Sequence, residues 1–482
     1  MQAPLCTQSH PRTNMTTSTR ECHVMDIRSE QNSWEEIIGE EMKRFDPKKE
    51  EEQRNKKSIY RIPSFVKLMK SPTVSTPQVV SFGPYHHGEE NLKFVEGYKQ
   101  KALLHFLHRN KKSLGHFVNA IKDFVEELQA CYEFLEDKWE DEAEFIKLMI
   151  TDGCFMLEVL RFDSKSPQTQ HTCNDPIFSV QAFQHKLPYI KRDMLMLENQ
   201  LPLLVIKVLI DAEKADQCCS PVSDQEINNL VFKFVGMEDM KDKDLKLGFH
   251  ILDLYRTGMT TATNKSQQFQ ETEGRSWILN LCGKSSDNIP KPYSQRGDAK
   301  LPTARKLHES GVKFRTFDIG KIKDISFKSG TLKLPPLTID DSTESTLLNL
   351  MAFEHLHVGV EKEVTSYVCF LDELSDSADD VHLLCSNKII NNAVGSDQAA
   401  ADLLNSLTKE VIHDPTSTLA DIRKTVKAYS DHKLNRWRAN LMQIYFDTPW
   451  KTLGVIIAVV VLVFTFVQTF YTVFGYHRPL PN

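Results

Sequence analysis

Apolar residues recur at intervals of three and four positions along much of the chain, which is the spacing of one face of an α-helix. The clearest stretches are residues 98–137, 144–162 and 192–212, and the last two are apolar enough to lie in a core. Within 192–212, Asp193 is predicted to cap the start of a helix, and Pro202 to kink or divide it. The pattern therefore predicts a body built largely from helices.

The periodicity changes in the middle of the chain. Residues 211–245 and 260–300 are polar and are predicted to form loops. Apolar and polar positions alternate at about 312–340, with Gly330 at a turn, which predicts a small antiparallel β meander. Helical spacing then resumes and continues to the C-terminal region. The predicted fold class is mainly α (α+β): a large helical body with this meander, followed by one C-terminal transmembrane helix.

The transmembrane prediction comes from residues 452–474, an uncharged apolar run. At a rise of about 1.5 Å per residue this run spans roughly 34 Å as a helix, against a hydrocarbon core of about 30 Å. A helix is required because lipid cannot satisfy the backbone of an open strand. Aromatic residues of the kind found at membrane interfaces flank the run, at Tyr445, Phe446, Trp450, Tyr471 and Tyr476. We therefore expect a membrane span and not a buried core helix.

Positive charge predicts the orientation of that span. Four basic residues precede it and one follows it: Lys433, Arg436, Arg438 and Lys451, and then Arg478. By the positive-inside rule, the body faces the cytosol and the short tail 475–482 faces the other side. We expect a single-pass protein of the plasma membrane.

Residues 1–57 are polar and contain the charged run DPKKEEEQRNKK. Such a composition does not offset the entropy of ordering, so this segment is predicted to be mostly disordered, apart from a short amphipathic helix in SWEEIIGEEMKRF. It lacks the apolar run of roughly 7–15 residues that a signal peptide requires. The expected organisation is this segment, a helical body at 58–447, and a tail anchor.

Charge and cysteine content exclude some classes of function. The formal net charge is -6, so no global positive field attracts nucleic acid, and we predict no nucleic-acid partner. The ten cysteines form no C-x-x-C pair and no regular framework. A chain of this length does not need disulfides to complete its core, so reduced thiols are expected, with Cys154 packed among apolar residues.

Two adjacent histidines, His86 and His87, are the first candidates for chemistry, in the stretch SFGPYHHG. Adjacent side chains of an extended segment point to opposite faces, so the pair does not readily bind one metal ion. The helical zinc pattern H-E-x-x-H is absent, and His355 and His357 also diverge on a predicted helix. Gly83 and Gly88 instead predict a turn. A hydrolase or metalloenzyme that uses His86, His87 or His355 is kept as an alternative.

Other catalytic patterns are incomplete. GKS at 283–285 lacks the preceding glycine of a phosphate-binding loop, and SFVK at 64–67 lacks the supporting motifs of S-x-x-K enzymes. Polar residues beside an apolar run are predicted to form an internal network of salt bridges and hydrogen bonds: Arg192, Asp193, Glu198 and Asn199. We therefore predict no catalytic, cofactor-binding or metal-binding residue, no cofactor, and a protein that is not an enzyme.

A series of segments in fixed order resembles the plant family called Domain of Unknown Function 247. The resemblance covers roughly residues 58–475 and rests on IYRIP, PQVVSFGPYHHG, YKQKAL, MITDGCFMLEVL, RDMLMLENQLPLLVI, HILDLYR, ARKLHESGVKF, LKLPPLTIDDSTESTLLNLMAFE, SYVCFLDELSDSADDVHLL and GSDQAAADLLNSL. It implies a plant membrane protein without an assigned catalytic activity.

The resemblance also implies a more specific role. Some grass members of this family resemble the pollen-side determinants of gametophytic self-incompatibility. The expected function is then recognition or signalling through a protein partner, such as a small secreted or stigma-side protein, and an oligomer is compatible with that role. A tail-anchored membrane scaffold without allele-specific partners is the second alternative.

Overall fold

The computed structural model describes residues 34–63, 74, 76–163, 177–215, 220–238, 240, 245–261, 300–317, 320–409, 418–432 and 449–477. The chain divides into two units, Met1–Lys56 and Lys57–Asn482. In the first unit, residues 34–44 are helical, as predicted, and helix α1 (Pro47–Lys56) follows. The predicted disorder of residues 1–33 lies outside the described residues.

The charged run in the first unit was not predicted to be helical. No side chain of α1 is buried, so local charge and not packing favours it. Glu50 lies in the first turn and Arg54 in the last, and their side chains pair at 3.4 Å. Acidic residues at the start and basic residues at the end of a helix complement its dipole.

The second unit is predominantly helical, which confirms the predicted fold class. Its helices in chain order are α2 (Lys93–Asn110), α3 (Leu114–Lys122), α4 (Val125–Ala130), α5 (Glu142–Asp163), α6 (Val180–Met194), α7 (Leu203–Lys214), α8 (Asp224–Val235), α9 (Ile251–Thr260), α10 (Ala304–Glu309), α11 (Thr343–Leu356), α12 (Glu363–Leu374), α13 (Ala378–Ser386), α14 (Asp397–Leu407), α15 (Thr418–Asp431) and α16 (Pro449–His477). Short 3-10 turns lie at Glu90–Leu92, Asp137–Trp139 and Ile322–Asp324.

Helix α5 lies at the centre of one helical group and packs against α2, α3, α7 and α8. Its sequence is apolar on nearly all sides, as expected of a helix surrounded by others. Gly153 allows α7 to approach closely, because a Cβ atom there would lie 2.7 Å from Leu209 and 2.8 Å from Val205. The buried helix predicted at 144–162 is therefore confirmed.

A second helical group surrounds α12, which packs against α9, α11, α14 and α15. Tyr367 and Phe370 of α12 are fully buried. Helix α13 starts with a capping box, in which Ser377 and Asp380 bind each other's backbone N–H groups. Asp380 therefore caps the start of this helix.

Four strands form at 313–339, where the sequence predicts them, but their pairing is not that of an antiparallel meander. A further strand forms at 390–392, where the helical spacing was predicted to continue. The strands are β1 (Lys313–Thr316), β2 (Ser326–Lys328), β3 (Thr331–Leu334), β4 (Leu337–Ile339) and β5 (Ile390–Asn392). Among the strands of the described residues, only β2 and β3 form an antiparallel hairpin, and β1 pairs with β3 in parallel. Strand β4 leaves this sheet and pairs in parallel with β5, with Leu337 opposite Ile390.

Two predicted features of residues 192–245 are wrong. Asp193 does not cap a new helix, since it lies in the last turn of α6, and α7 begins only after Pro202. The intervening residues 195–202 are buried without forming a helix. The stretch 211–245, predicted as a polar loop, contains α8, whose apolar face is buried. The loop predicted at 260–300 falls largely outside the described residues.

Helix α16 begins at Pro449 and is long and apolar enough to cross a membrane at Ile456–Val473. None of that stretch is buried within the protein. A hydrophobic helix that buries none of its side chains is consistent with a membrane environment.

Candidate functional site

The candidate site is built around residues 77–88, the segment that carries His86 and His87. Residues 80–86 are buried, although none belongs to a helix or a strand. Buried backbone N–H groups need hydrogen-bond partners, and here the strand and helix ladders that usually supply them are missing. Side chains from other parts of the chain supply them instead.

Asp193, at the end of α6, binds the first part of the segment. One of its carboxylate oxygens accepts hydrogen bonds from the N–H groups of Gln78 at 3.0 Å, Val79 at 2.7 Å and Val80 at 3.1 Å. Burial raises the pKa of Asp193 above its ordinary value, and the three N–H donors oppose that shift because they favour the charged form. The carboxylate thus satisfies three successive backbone N–H groups of a segment that has no regular secondary structure.

Asn199 binds the middle of the segment with both ends of its amide. Its Oδ1 accepts from the N–H of Phe82 at 2.6 Å, and its Nδ2 donates to the carbonyls of Val80 and Asp193, both at 2.9 Å. Glu198 accepts from the N–H of Ile62 at 2.5 Å. Three members of the predicted internal network, Asp193, Glu198 and Asn199, are therefore present as hydrogen bonds to the backbone. Arg192, the fourth, instead donates to the side chain of Gln78 at 2.6 Å on an exposed part of the surface.

Asp152 of α5 and Lys99 of α2 complete the site. Asp152 accepts from the N–H of Gly83 at 2.8 Å, and its other oxygen accepts from Lys99 Nζ at 2.8 Å. Lys99 also lies 2.6 Å from Glu96 and donates to Ser81 at 3.0 Å. Burial raises the pKa of Asp152, and the Lys99 charge opposes that shift. We call Asp152, Asp193, Glu198 and Asn199 the polar clamp.

Gly83 itself is required by both its backbone and its surroundings. Its φ is 70°, and a Cβ atom would lie 2.6 Å from the carbonyl oxygen of Gln200 and 2.8 Å from the hydroxyl of Tyr132. Gly88, at φ 88°, ends the predicted turn in open space. The turn at residues 83–88 is therefore present.

The two histidines of the turn diverge, as predicted. His86 is buried, with Nδ1 2.7 Å from Glu89, whereas Nε2 lies 3.6 Å from Glu198, beyond hydrogen-bond distance. His87 is exposed and its ring lies 5.5 Å from that of Trp139. Within the part of the chain that the structure describes, no three His, Cys, Asp or Glu side chains group closely enough to hold a metal ion.

His355 and His357 also point apart, with His355 exposed on α11. His357 lies 2.9 Å from the hydroxyl of Tyr60. Burial lowers the pKa of His357 below its ordinary value. The structure therefore does not bring His355 together with the His86–His87 turn through any described contact.

The described thiols are packed rather than activated. Cys154 is fully buried, and burial raises its pKa well above the ordinary value. Burial likewise raises the pKa of Cys131 and of Cys369 to about 11 each. Since the thiolate is the nucleophile, these cysteines are poorly suited to attack a substrate. Among the described residues, Cys131, Cys154, Cys369 and Cys385 form no disulfide bond.

A surface of aromatic and cationic side chains lies next to the turn. Arg61 stacks over Tyr85 at 4.5 Å, and Lys138 lies over Trp139 at 4.9 Å. Glu136 forms salt bridges with both Arg61 and Lys138. The side chain of Phe134 is 65% exposed nearby, and its backbone N–H donates a hydrogen bond to the Tyr85 hydroxyl. With His87, these residues form what we call the turn surface: Arg61, His87, Phe134 and Lys138.

Two members of this site, Lys99 and Asp152, were not predicted from the sequence. A signal for Lys99 was available, because it lies on the apolar stripe of α2 with Val95, Ala102 and Phe106, at spacings of four, three and four. A lysine on a buried face implies a buried acidic partner.

Comparison with known proteins gives the relationships of the chain. A family model described as a plant protein of unknown function, DUF247, matches residues 59–464. The UPF0481 protein At3g47200 of Arabidopsis thaliana is 29% identical over 433 residues, which cover 87% of this chain and 86% of that protein. The putative UPF0481 protein At3g02645 of the same plant is 24% identical, over 87% of this chain and 90% of its own length. No solved structure matches the chain. The chain therefore belongs to the plant family of unknown function DUF247.

Proposed function

We propose that this chain is a membrane-anchored recognition protein, which acts by binding a protein partner and carries out no chemistry of its own. The observation that supports this most directly is that the side chains of the polar clamp bind the protein's own backbone. Asp152, Asp193 and Asn199 are fully buried and bind backbone N–H groups, so they hold a segment in place and present no open face to a substrate.

The turn surface is our candidate for the partner site. Aromatic residues and arginine are enriched where proteins bind each other tightly, and a rigid base lowers the entropy cost of binding. The polar clamp supplies such a base, since the buried residues 80–86 lead directly to His87. The partner is expected to offer acidic and apolar groups to Arg61, Lys138 and Phe134.

Capture of partners by the full-length protein tests this surface. Phe134→Ala and His87→Ala are expected to lower partner capture at least severalfold in membranes from the plant tissue that expresses the protein. Phe94→Ala is the matched control, because Phe94 is 66% exposed beside Tyr98 on α2. Equal capture by all three variants would contradict the assignment of the surface.

The membrane part of the proposal is tested by topology. Helix α16 is expected to keep the full-length chain in the membrane after alkaline extraction, with the body cleaved by protease added to sealed microsomes and a C-terminal tag protected. A protected, glycosylated body would reverse the orientation. An extracted chain would contradict the anchor.

The specific form of the proposal is a pollen-side determinant of self-incompatibility. It is supported by the family resemblance, and it requires a stigma-side partner that differs between alleles. Pollination that is unchanged after a knockout would contradict this form and leave general partner binding in place. A scaffold, the second alternative, would capture the same partners from every allele.

The alternative, a hydrolase or metalloenzyme, is tested by substitution of the two histidines in the turn. It requires His86 or His87 for activity and a metal ion in stoichiometric amount. Normal complementation of the knockout by a His86→Ala, His87→Ala variant, with no metal in the purified protein, would rule it out.

A further inference from the structure

The apolar span of α16 contains one strongly polar side chain, Gln468. It lies between Ile456 and Val473, about 5 Å from the middle of the span at about 1.5 Å per residue. Within the described residues its side-chain amide makes no hydrogen bond in this structure. In a membrane this amide would lie in hydrocarbon, where an unpaired polar group is unfavourable.

The threonine hydroxyls of the span are already satisfied, and Tyr471 lies near its end, where an aromatic hydroxyl can reach the membrane interface. The hydroxyls of Thr465, Thr469 and Thr472 donate to the backbone carbonyls four residues earlier, each at 2.8 Å. They therefore do not need a partner outside the helix. Gln468 differs, because its amide has two donors and an acceptor to satisfy.

The face that carries Gln468 is shaped for close approach. Steps of three and four residues place Ala458, Val461, Thr465 and Thr472 on the same side of the helix as Gln468. A shallow groove runs along one edge of this side, between Ala458, Val461 and Thr465 and the neighbouring Leu462, Phe466 and Thr469. Small and hydroxyl-bearing residues let two membrane helices pack with their backbones close together.

We propose that this face binds the same face of a second copy of the chain, so that the protein is a parallel dimer within the membrane. The inference rests on the membrane anchor of the proposed function. Two copies with one topology place their Gln468 side chains at the same depth. A primary amide is self-complementary, since each can donate to the carbonyl oxygen of the other. An unrelated partner helix would need its own polar group at that depth.

Cysteine cross-linking of the full-length chain in membranes tests the proposed face. The span contains no native cysteine, so single substitutions report on it directly. Ala458→Cys and Thr465→Cys are expected to give disulfide-linked dimers on mild oxidation. Val463→Cys and Val467→Cys, on the opposite side of the helix, are the matched controls, and the unsubstituted chain measures any contribution from the body.

The role of Gln468 is tested by substitution and energy transfer between two fluorescent copies. Gln468→Leu is expected to weaken association by about threefold or more, the order found for hydrogen bonds between membrane helices. Gln468→Asn keeps the amide and is expected to restore most of it. Dimers that form equally from both faces, or with Gln468→Leu, would overturn the proposal.

Alkaline extraction of the same samples separates the two proposals. A chain that stays in the membrane but cross-links from neither face retains its anchor and is not a dimer through α16. Cross-linking to a protein of different mass would replace the second copy with another partner. A chain that is extracted loses both the anchor and the dimer.

Discussion

The most informative perturbation of the body is Lys99→Met. Lys99 Nζ contacts three acceptors, but these do not depend on it equally. Glu96 is 25% exposed and can be solvated by water if the lysine is removed, whereas Asp152 is 1% exposed and cannot. The loss of the ammonium therefore leaves one buried carboxyl group paired only with the N–H of Gly83.

The expected cost follows from that unpaired carboxyl group. Removing one partner of a buried ion pair typically destabilises a protein by about 3–5 kcal/mol. Since a domain is usually stable by only about 5–15 kcal/mol, Lys99→Met should remove a large part of the free energy of unfolding. Lys99→Met combined with Asp152→Asn should recover much of it, because no buried charge is left and the amide oxygen still accepts from Gly83.

The dependence on pH gives an independent check. Burial already raises the pKa of Asp152, and without Lys99 the pKa should rise further. A carboxyl group whose pKa is raised in the folded state stabilises the fold at low pH, and this stability is lost as the pH rises above its unfolded value of about 4. The difference between Lys99→Met and the natural protein should therefore shrink on acidification.

Urea titration of the full-length protein in detergent, with brief proteolysis of the unfolded fraction, measures these differences. Asp152→Asn alone completes a double-mutant cycle. The reasoning is refuted if Lys99→Met unfolds at the same urea concentration as the natural protein, or if the double variant is no more stable than Lys99→Met.

Two further predictions use the same assay. Gly83→Ala should cost at least about 2 kcal/mol more than Gly88→Ala, because both residues have positive φ but only the Gly83 site lacks space for a Cβ atom; equal costs would contradict this. Burial lowers the pKa of His250 to about 3, so stability should be lost as the pH falls below about 6.5, by up to about 1.4 kcal/mol per unit. His250→Gln, which can still donate to the Ser58 carbonyl and accept from the Asp253 N–H, should reduce that acid sensitivity; an unchanged profile would contradict the assignment.

Local patterns predicted the parts of this fold that depend on local chemistry. The apolar spacing of α5, the turn around Gly83 and Gly88, and the long apolar helix after Pro449 are all properties of neighbouring residues. The buried network was also predicted, because an apolar run that contains Glu198 and Asn199 must provide partners for them.

The parts that sequence reasoning missed depend on partners far along the chain. Asp193 precedes an apolar run and therefore resembles a helix cap, but the N–H groups it binds lie 113 to 115 residues away. Strand β4 follows β3 closely, as in a meander, yet its partner Ile390 comes more than 50 residues later. Alternation of apolar residues predicts a strand but does not select the neighbour with which it pairs.

The buried loop 195–202 explains why the two helical groups form one body. Asn199 binds the segment 77–88, while Gln200 accepts from the N–H of Leu252 in α9. The N–H of Leu197 donates to Asn349 of α11, which belongs to the second helical group. A non-helical loop is stable at this depth only while both groups supply its partners, since each unpaired backbone group costs about 1–3 kcal/mol. Separation of either group would therefore release the loop and the clamp together, so the turn surface should remain rigid as long as the whole body is folded.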